Sequence, residues 1–504
     1  MEKGFILGID QGSTGTKAIV VDHEGEVRAG AYRGIGSFFP HDGWLEHNPA
    51  EIWQSVVECV KELAVTFDFR SLCAVGITNQ RETSIIWEKS TGKPLTAAIS
   101  WQCTRSAAII ERWRHFHEEI LEKTGLAANA YYSASKIAWI LENDPSLRSR
   151  AEQGGLLFGT VNTWIIWNLN GGRLHVTDST NAGRTMFFDV QKDQWDTALL
   201  EKMNIPAQLL PSVLSCDGYF GDAVVPAEVF VKPVPICGSI GDQQSALFGQ
   251  VCTERGEAKC TIGTSINLVV QTKQYEKPSG GVPPSIASNI SGTLNYDLEG
   301  GVYVAGSVNE WLIEQMGMAS NPQEISAMAQ TVENTNGAYV VPAFQGLGAP
   351  HWDMNARCLI TGLSRYHTKH HICKAALESL ALQTNDVVIE LQNAFNVTIS
   401  LLRVDGGVAK DDFILQSFAD ILRCRIERPQ NTDRTPMGAV YIAGLAQGLW
   451  KNTGELKQLW KLDKAFEPQM KQSQRDDLVA GWKEAVKRSL GWTSQDWYIR
   501  SQSR

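Results

Sequence analysis

Two short stretches carry residues suited to handling phosphate. In "GIDQGSTGTKAIVVD", residues 8–22, an apolar run ends at Asp10, a tip of Gly, Ser and Thr follows, and a second apolar run closes at Asp22. The tip offers Ser13, Thr14, Gly15 and Lys17: hydroxyls, unhindered backbone N–H groups and one cation. It is not the helix-bound phosphate loop, which needs Gly, four residues, then Gly-Lys-Ser or Gly-Lys-Thr before a helix. Lys17 follows Gly12 too soon, and Ala18-Ile19-Val20-Val21 reads as a strand. Half a chain later "EAKCTIGTSINLVVQTK" again sets a Gly-Thr-Ser tip, with Thr264, between two apolar runs. A hairpin with a small-hydroxyl tip, used twice, marks an internal duplication. Two such hairpins facing each other would grip a polyphosphate from opposite sides while an adenosine lies against the second domain. Asp10, at a strand end, would hold the waters of Mg2+, a hard cation that keeps its hydration shell.

The elements that must position these tips follow from periodicity. Residues 4–36 read as the first hairpin plus a third strand. In "GWLEHNPAEIWQSVVECVKELA", Asn48 is a good N-cap, Pro49 suits the first helical position, and Glu51 completes a capping box. Ile52, Val56, Val60 and Leu63 then line one face at helical spacing. "SLCAVGIT" (71–78) is a buried strand followed by the turn "NQRETS"; "SKIAWILEN" and "FGTVNTWIIWNL" read as helices. "VPICGSI" (234–240) is a strand running into Gly241-Asp242-Gln243-Gln244 and a helix. "LLRVDGGVAKDDFILQSFADIL" (401–422) reads as a strand, a Gly-Gly turn and an amphipathic helix. The expectation is two α/β domains of like build, 1–250 and 251–504, facing each other, with the polar tail after Trp497 read as disordered.

The totals bound what such a protein can do. A chain of 504 residues is too long for one core. Its net charge of −9 argues against a general binder of nucleic acid or anionic membrane. Ten cysteines stand as singles with no Cys-x-x-Cys and no zinc spacing, the pattern of a reducing compartment. No signal segment precedes the first strand, and the most apolar long window, "LLFGTVNTWIIWNL", is too short and polar to span a bilayer. Cytoplasm is the expectation. His367, His370 and His371 lack a carboxylate or cysteine at ligand spacing and read as a solvated loop or helix start.

Taken in order, "DQGSTGTK", "GWLEHNPAEIW", "GITNQRETSIIWEKSTGKPL", "YYSASKIAWILEN", "HVTDSTNAGRTM", "GDQQSALFGQ", "NTNGAYVVPAFQGLGAPHWD" and "AGWKEAVKRSLGW" resemble the FGGY carbohydrate kinases of the actin/hexokinase superfamily, and among them the glycerol kinases. The resemblance implies two duplicated actin/hexokinase-like (ribonuclease H-like) α/β domains flanking a cleft, and transfer of phosphoryl from ATP, with Mg2+, to a small polyol or sugar. It implies Asp242 as the base. Arg81 and Glu82 match the pair that grips polyol hydroxyls, and Trp101, Tyr131 and Gln243 match the rest of that pocket. Ser13, Thr14, Gly15 and Lys17 correspond to the first phosphate loop and Thr264 to the second. Gly306, Glu310, Gly407 and Asp411 fall on the nucleotide side. No nucleic acid or membrane insertion is implied; a homo-oligomer is left open.

Departures from the pattern keep rivals open. Lys17 stands where glycerol kinases usually have Arg, Asp411 where Asn is common and Glu310 where Gln is. The second loop reads Gly263-Thr264-Ser265-Ile266-Asn267, where Gly-Thr-Gly-Cys-Phe is usual. Asn267 therefore replaces an apolar wall with a group able to meet an extra hydroxyl, which makes a longer polyol or a ketose an alternative to glycerol. An actin- or chaperone-like ATPase uses the same double hairpin but needs no polyol pocket. A regulator that has lost turnover is a third alternative.

Overall fold

β1 (Phe5–Gln11) and β2 (Gly15–Val21) pair antiparallel, with Asp10 opposite Lys17, and β3 (Val27–Gly34) extends the hairpin. The computed structural model describes residues 4–279, 281–495 and 498; the polar tail after Trp497 lies outside them apart from Tyr498. Beside β1 lies β4 (Leu72–Asn79), parallel to it, and then β5 (Val234–Gly241), parallel to β4. The order of this first sheet is thus β3-β2-β1-β4-β5, with the short strand Asp222–Ala223 at its edge. Helix α1 (Pro49–Thr66) covers one face, burying Ile52, Val56, Val60 and Leu63. Its capping differs from the expected box. Asn48 Oδ1 accepts from the Ala50 N–H at 2.9 Å, but Glu51 turns away to accept from the Gly36 N–H at 2.9 Å. The acid fastens the exit of β3 to the helix instead of closing on its own cap.

"SKIAWILEN" forms α2 (Ser133–Asn143), whereas "FGTVNTWIIWNL" is divided between the end of a strand, Leu156–Gly159, and a helix, Val161–Leu169. Asp242 is the first residue of α3 (Asp242–Gly249), directly after β5.

The second half repeats the plan. β6 (Glu257–Ile262) and β7 (Ile266–Gln271) form the second hairpin, extended by β8 (Thr293–Val302). β9 (Leu401–Asp405) lies parallel to β6, and β10 (Arg425–Pro429) parallel to β9. The order β8-β7-β6-β9-β10 matches that of the first sheet strand for strand, and that match is the duplication. α4 (Lys369–Phe395) and α5 (Asp412–Leu422) pack on this sheet. His371 accepts from the Thr368 N–H in the capping box of α4, so the histidines 367–371 open a helix as expected.

α6 (Thr435–Ala446) crosses back and lies on the first sheet, across β1, β4 and β5, and against α3. Glycines make that approach close. A Cβ at Gly76 would stand 2.3 Å from the Ala439 carbonyl, and one at Gly438 would stand 1.9 Å from the Ser245 carbonyl. Among the described residues no helix is long and apolar enough to cross a membrane, and all ten cysteines carry free thiols.

Candidate active site between the halves

The turn after β4 is tied to the tip of the first hairpin. The Gln80 N–H donates to the Gln11 carbonyl at 2.7 Å, and its side-chain amide reaches the Gly12 carbonyl at 3.2 Å. Glu82 then takes a left-handed backbone (φ 61°), a strained choice for a non-glycine residue that clusters at functional sites. Together these place Arg81 and Glu82, 3% and 1% exposed, on the cleft floor. They are not the solvated pair that adjacent charges usually make.

Arg81 reaches across to the second half. Its two terminal nitrogens donate to the two oxygens of Glu299, in β8, at 2.8 Å each. Its Nε lies 3.1 Å from Asp242 Oδ1 but is not aligned on it, and remains a buried donor without a hydrogen bond. Glu82 Oε1 accepts from Arg184 Nε at 2.7 Å, and Arg184 Nη1 lies 3.4 Å from Glu299 as a second unsatisfied buried donor. Two guanidinium groups and three carboxylates thus share one site, buried except at Asp242, that still has unused donors. Paired groups of this kind, short of partners, are what a polyhydroxylated ligand completes.

Aromatic rings wall this floor. Trp101 and Tyr131 sit 5.2 Å apart between centroids, and Arg184 lies over Tyr132 at 5.3 Å. The Trp101 indole donates to Ser13 Oγ at 2.9 Å, linking the wall to the first phosphate hairpin. The Tyr131 segment is held from beneath by Lys136, a fully buried ammonium that donates to the carbonyls of Ala130, Tyr131 and Tyr132 at 2.7, 2.5 and 3.1 Å. Gln243, next to Asp242, accepts from Lys259 of the second half.

The electrostatics follow burial. Asp242 opens a helix, a position that by itself favours an ionised carboxylate. Instead burial raises its proton affinity above the ordinary aspartate range, against the pull of Arg81. Burial also acts to raise Glu299, but there Arg81 and Arg184 win and hold it well below the usual range. Burial, then the carboxylates of Asp242 and Asp433, push Asp10 up to about 8. Lys17 pairs with Asp433. Asp10 thus has two carboxyls and one lysine acting on it, a local surplus of negative charge that fits a divalent cation. Among the described residues no group of three or more His, Cys, Asp or Glu is placed to hold an ion directly.

The second tip is stitched to the segment after β8. The carbonyls of Gly263 and Thr264 accept from the N–H groups of Gly306 and Ala305 at 2.9 and 2.8 Å. A Cβ at Gly306 would meet the Gly263 carbonyl at 2.7 Å, and Gly406, at φ 92°, closes on Ile262. Thr264, Gly306 and the Gly406-Gly407 turn therefore share one wall, and nothing lies within 4 Å of where a side chain at Gly407 would project. Asp411 caps α5, accepting from the Phe413 N–H at 2.9 Å. Glu310 is exposed, one turn beyond Gly306, just before a π-helical turn, Trp311–Gln315. Gly15 is buried against Tyr32 and Arg33, so only its backbone is available to a ligand, while Thr14 is exposed at the tip.

Asn267 does not present a free amide to the cleft. Its Nδ2 donates to Glu299 Oε1 at 3.0 Å and its Oδ1 accepts from Lys259 at 3.4 Å. The sequence reading missed Glu299, Arg184, Lys259, Lys136 and Asp433. For Lys259 the available signal was a charge between apolar neighbours in a strand, in "EAKCTI".

Duplicated sheets, facing hairpins and an aspartate beside a buried Arg–Glu constellation define a two-lobed small-molecule phosphotransferase. The chain belongs to the FGGY family of carbohydrate kinases: the family's N-terminal domain matches residues 5–249 and its C-terminal domain residues 258–447. It is 45% identical over 494 residues to glycerol kinase 2 of Thermotoga maritima, covering 97% of this chain and 99% of that one. It is 42% identical over 496 residues to a glycerol kinase of Caldanaerobacter subterraneus subsp. tengcongensis, with 97% and 99% covered. Among solved structures, Plasmodium falciparum glycerol kinase with ADP superposes at a TM-score of 0.93, with 34% identity and 97% and 98% of the two chains covered.

Proposed function

We propose that this protein phosphorylates glycerol with ATP, giving sn-glycerol 3-phosphate. The observation that carries the reading is Asp242: its carboxylate lies 3.1 Å from an Arg81 Nε that is buried and still unsatisfied, and it interacts with Asp10 of the first hairpin and Lys259 of the second. A polyol placed there takes hydrogen bonds from Arg81 and gives one to the Glu82 oxygen that Arg184 leaves free. Its carbons lie against Trp101 and Tyr131, and its reacting hydroxyl faces Asp242. The raised proton affinity of Asp242 suits it to take that hydroxyl's proton as the oxygen attacks the terminal phosphoryl in line. Ser13, Thr14, Gly15 and Lys17 from residues 1–250, and Thr264 from residues 251–504, are assigned to the phosphates; Lys17 exchanges Asp433 for them. Gly306, Glu310, Gly407 and Asp411 are assigned to the nucleoside. Mg2+, held through water by Asp10, would neutralise charge on the phosphates. Closure of the halves expels water, so that transfer outruns hydrolysis. The reading places the enzyme in the cytoplasm, where ATP is supplied.

The longer-polyol alternative was motivated by Asn267, and both ends of that amide are engaged. The test is ADP release with ATP and Mg2+ across glycerol, erythritol, ribitol, xylitol, ribulose and xylulose. Glycerol is expected to give the highest kcat/KM. Preferential turnover of a larger substrate would overturn the assignment, and substrate-independent hydrolysis would point to an ATPase.

A further inference from the structure

One buried cation in the cleft has no part in the reading above. Lys259 lies in β6, fully buried, three residues from the Ile262 that opens the second phosphate tip. Its Nζ donates to Gln243 Oε1, to Thr261 Oγ1 at 3.2 Å, to the Asn267 carbonyl at 3.3 Å and to Asn267 Oδ1 at 3.4 Å. Burial pushes its proton affinity down, and the charges of Asp405, Glu299 and Asp242 act against that. A hydrophobic side chain of similar length would avoid the desolvation, so stability alone is a poor account of a lysine here.

Its contacts divide between the halves. Gln243 belongs to the polyol pocket and follows Asp242 on α3. Thr261 and Asn267 face each other across the second hairpin, and Asp405 directly precedes the Gly406-Gly407 turn. An ammonium can only donate, so the Gln243 oxygen must turn toward Lys259 and its NH2 must turn away. That orientation leaves Gln243 as a donor, beside the donors of Arg81, for a substrate hydroxyl oxygen.

We propose that Lys259 is a positioning residue that couples the polyol pocket to the nucleotide clamp: it fixes the Gln243 carboxamide as a donor, and does so from the strand that carries the second phosphate tip. A nucleotide that settles the hairpin settles Lys259 and hence Gln243, and glycerol held by Gln243 settles the hairpin in return. The inference rests on the assignment of Gln243 to the polyol.

Calorimetric titration of glycerol, with and without a non-hydrolysable ATP analogue and Mg2+, tests it. In the wild type the analogue is expected to tighten glycerol binding roughly fivefold or more, with the same factor in the reciprocal titration. In Lys259→Met that factor falls to about one, because the link between the ligands is lost. A purely structural role would lower the melting temperature and leave the factor unchanged; an unchanged factor overturns the proposal. Gln243→Glu tests it without touching the lysine, keeping the partner of Lys259 but removing the NH2 donor. It is expected to weaken glycerol binding about tenfold, and undiminished binding overturns the proposal. A wild type that releases no ADP with any polyol sinks the function assignment and this inference with it. An active wild type whose coupling survives in Lys259→Met sinks the inference alone.

Discussion

In the proposed reaction, Asp242 and Arg184 divide the work of the site between a proton and a geometry. Burial leaves the Asp242 carboxyl more basic than an ordinary aspartate, so kcat/KM is expected to fall on the acid side at a higher pH than an exposed aspartate would give. Asp242→Asn removes the acceptor without changing the shape. Turnover is expected to fall by about 10²- to 10⁴-fold, while ATP affinity measured by calorimetry stays near wild type. Retained turnover would remove Asp242 from the role of base. Arg184 donates to Glu82 and stands 3.4 Å from Glu299, so its planar fork spans both carboxylates from one position. Lysine keeps the charge but offers a point in place of a fork. Arg184→Lys is therefore expected to raise the glycerol KM about tenfold or more, with a smaller change in kcat. A variant that lost kcat at unchanged KM would show that Arg184 does not act by aligning Glu82.

At the scale of elements, Asp242 is aimed by α3, and α3 is seated on α6 through Gly438, where an added methyl would stand 1.9 Å from the Ser245 carbonyl. Backbone cannot yield that distance without moving the helix. Gly438→Ala is expected to cost about 1–3 kcal/mol in denaturant unfolding and to lower kcat, since α3 shifts with Asp242 on its first turn. Wild-type stability would mean that α6 absorbs the methyl elsewhere. This contact also shows where the sequence stopped being readable. The two hairpins, α1 and the strand–Asp242–helix junction are legible because alternation and helical spacing are local, and the tips show their hydroxyls and glycines in their own residues. The return of α6 to the first sheet is not legible. "TPMGAVYIAGLA" is apolar on every side and has no preferred face, and the reason for Gly76 and Gly438 lies in a partner hundreds of residues away in the chain. For the same reason Arg81 and Glu82 could be singled out while Glu299 could not: its meaning comes from the opposite half. Asn267 misled for the opposite reason. Its polarity looked outward to a ligand until the structure supplied Glu299 and Lys259 as partners.

Across the whole molecule, two buried glutamates of the second half should respond to pH with opposite signs. Glu299 is held below its ordinary value of 4.5 because two guanidinium groups overcome its burial. Its contribution to stability is therefore present above pH 4.5 and is lost as pH falls toward its depressed folded value. Glu378, in α4, is raised to about 7, by burial first and against the pull of Lys374. What it contributes is present below pH 4.5 and is lost as pH rises through about 7. Glutamine at position 299 leaves Arg81 and Arg184 buried with one anion fewer, a change that costs roughly 3–5 kcal/mol at neutral pH. That deficit is expected to shrink below about pH 4.5, where the unfolded wild type takes up a proton at Glu299 that its folded state resists. Glutamine at position 378 is neutral at every pH, so Glu378→Gln should gain melting temperature on the wild type between about pH 4.5 and 7 and hold a constant lead above that. Thermal melts of the three proteins between about pH 2 and 8 decide the matter. Parallel curves for Glu299→Gln and wild type would mean that the Arg81–Glu299 bridge does not bind the halves in solution, and the polyol floor would then have to be assembled by the ligands themselves.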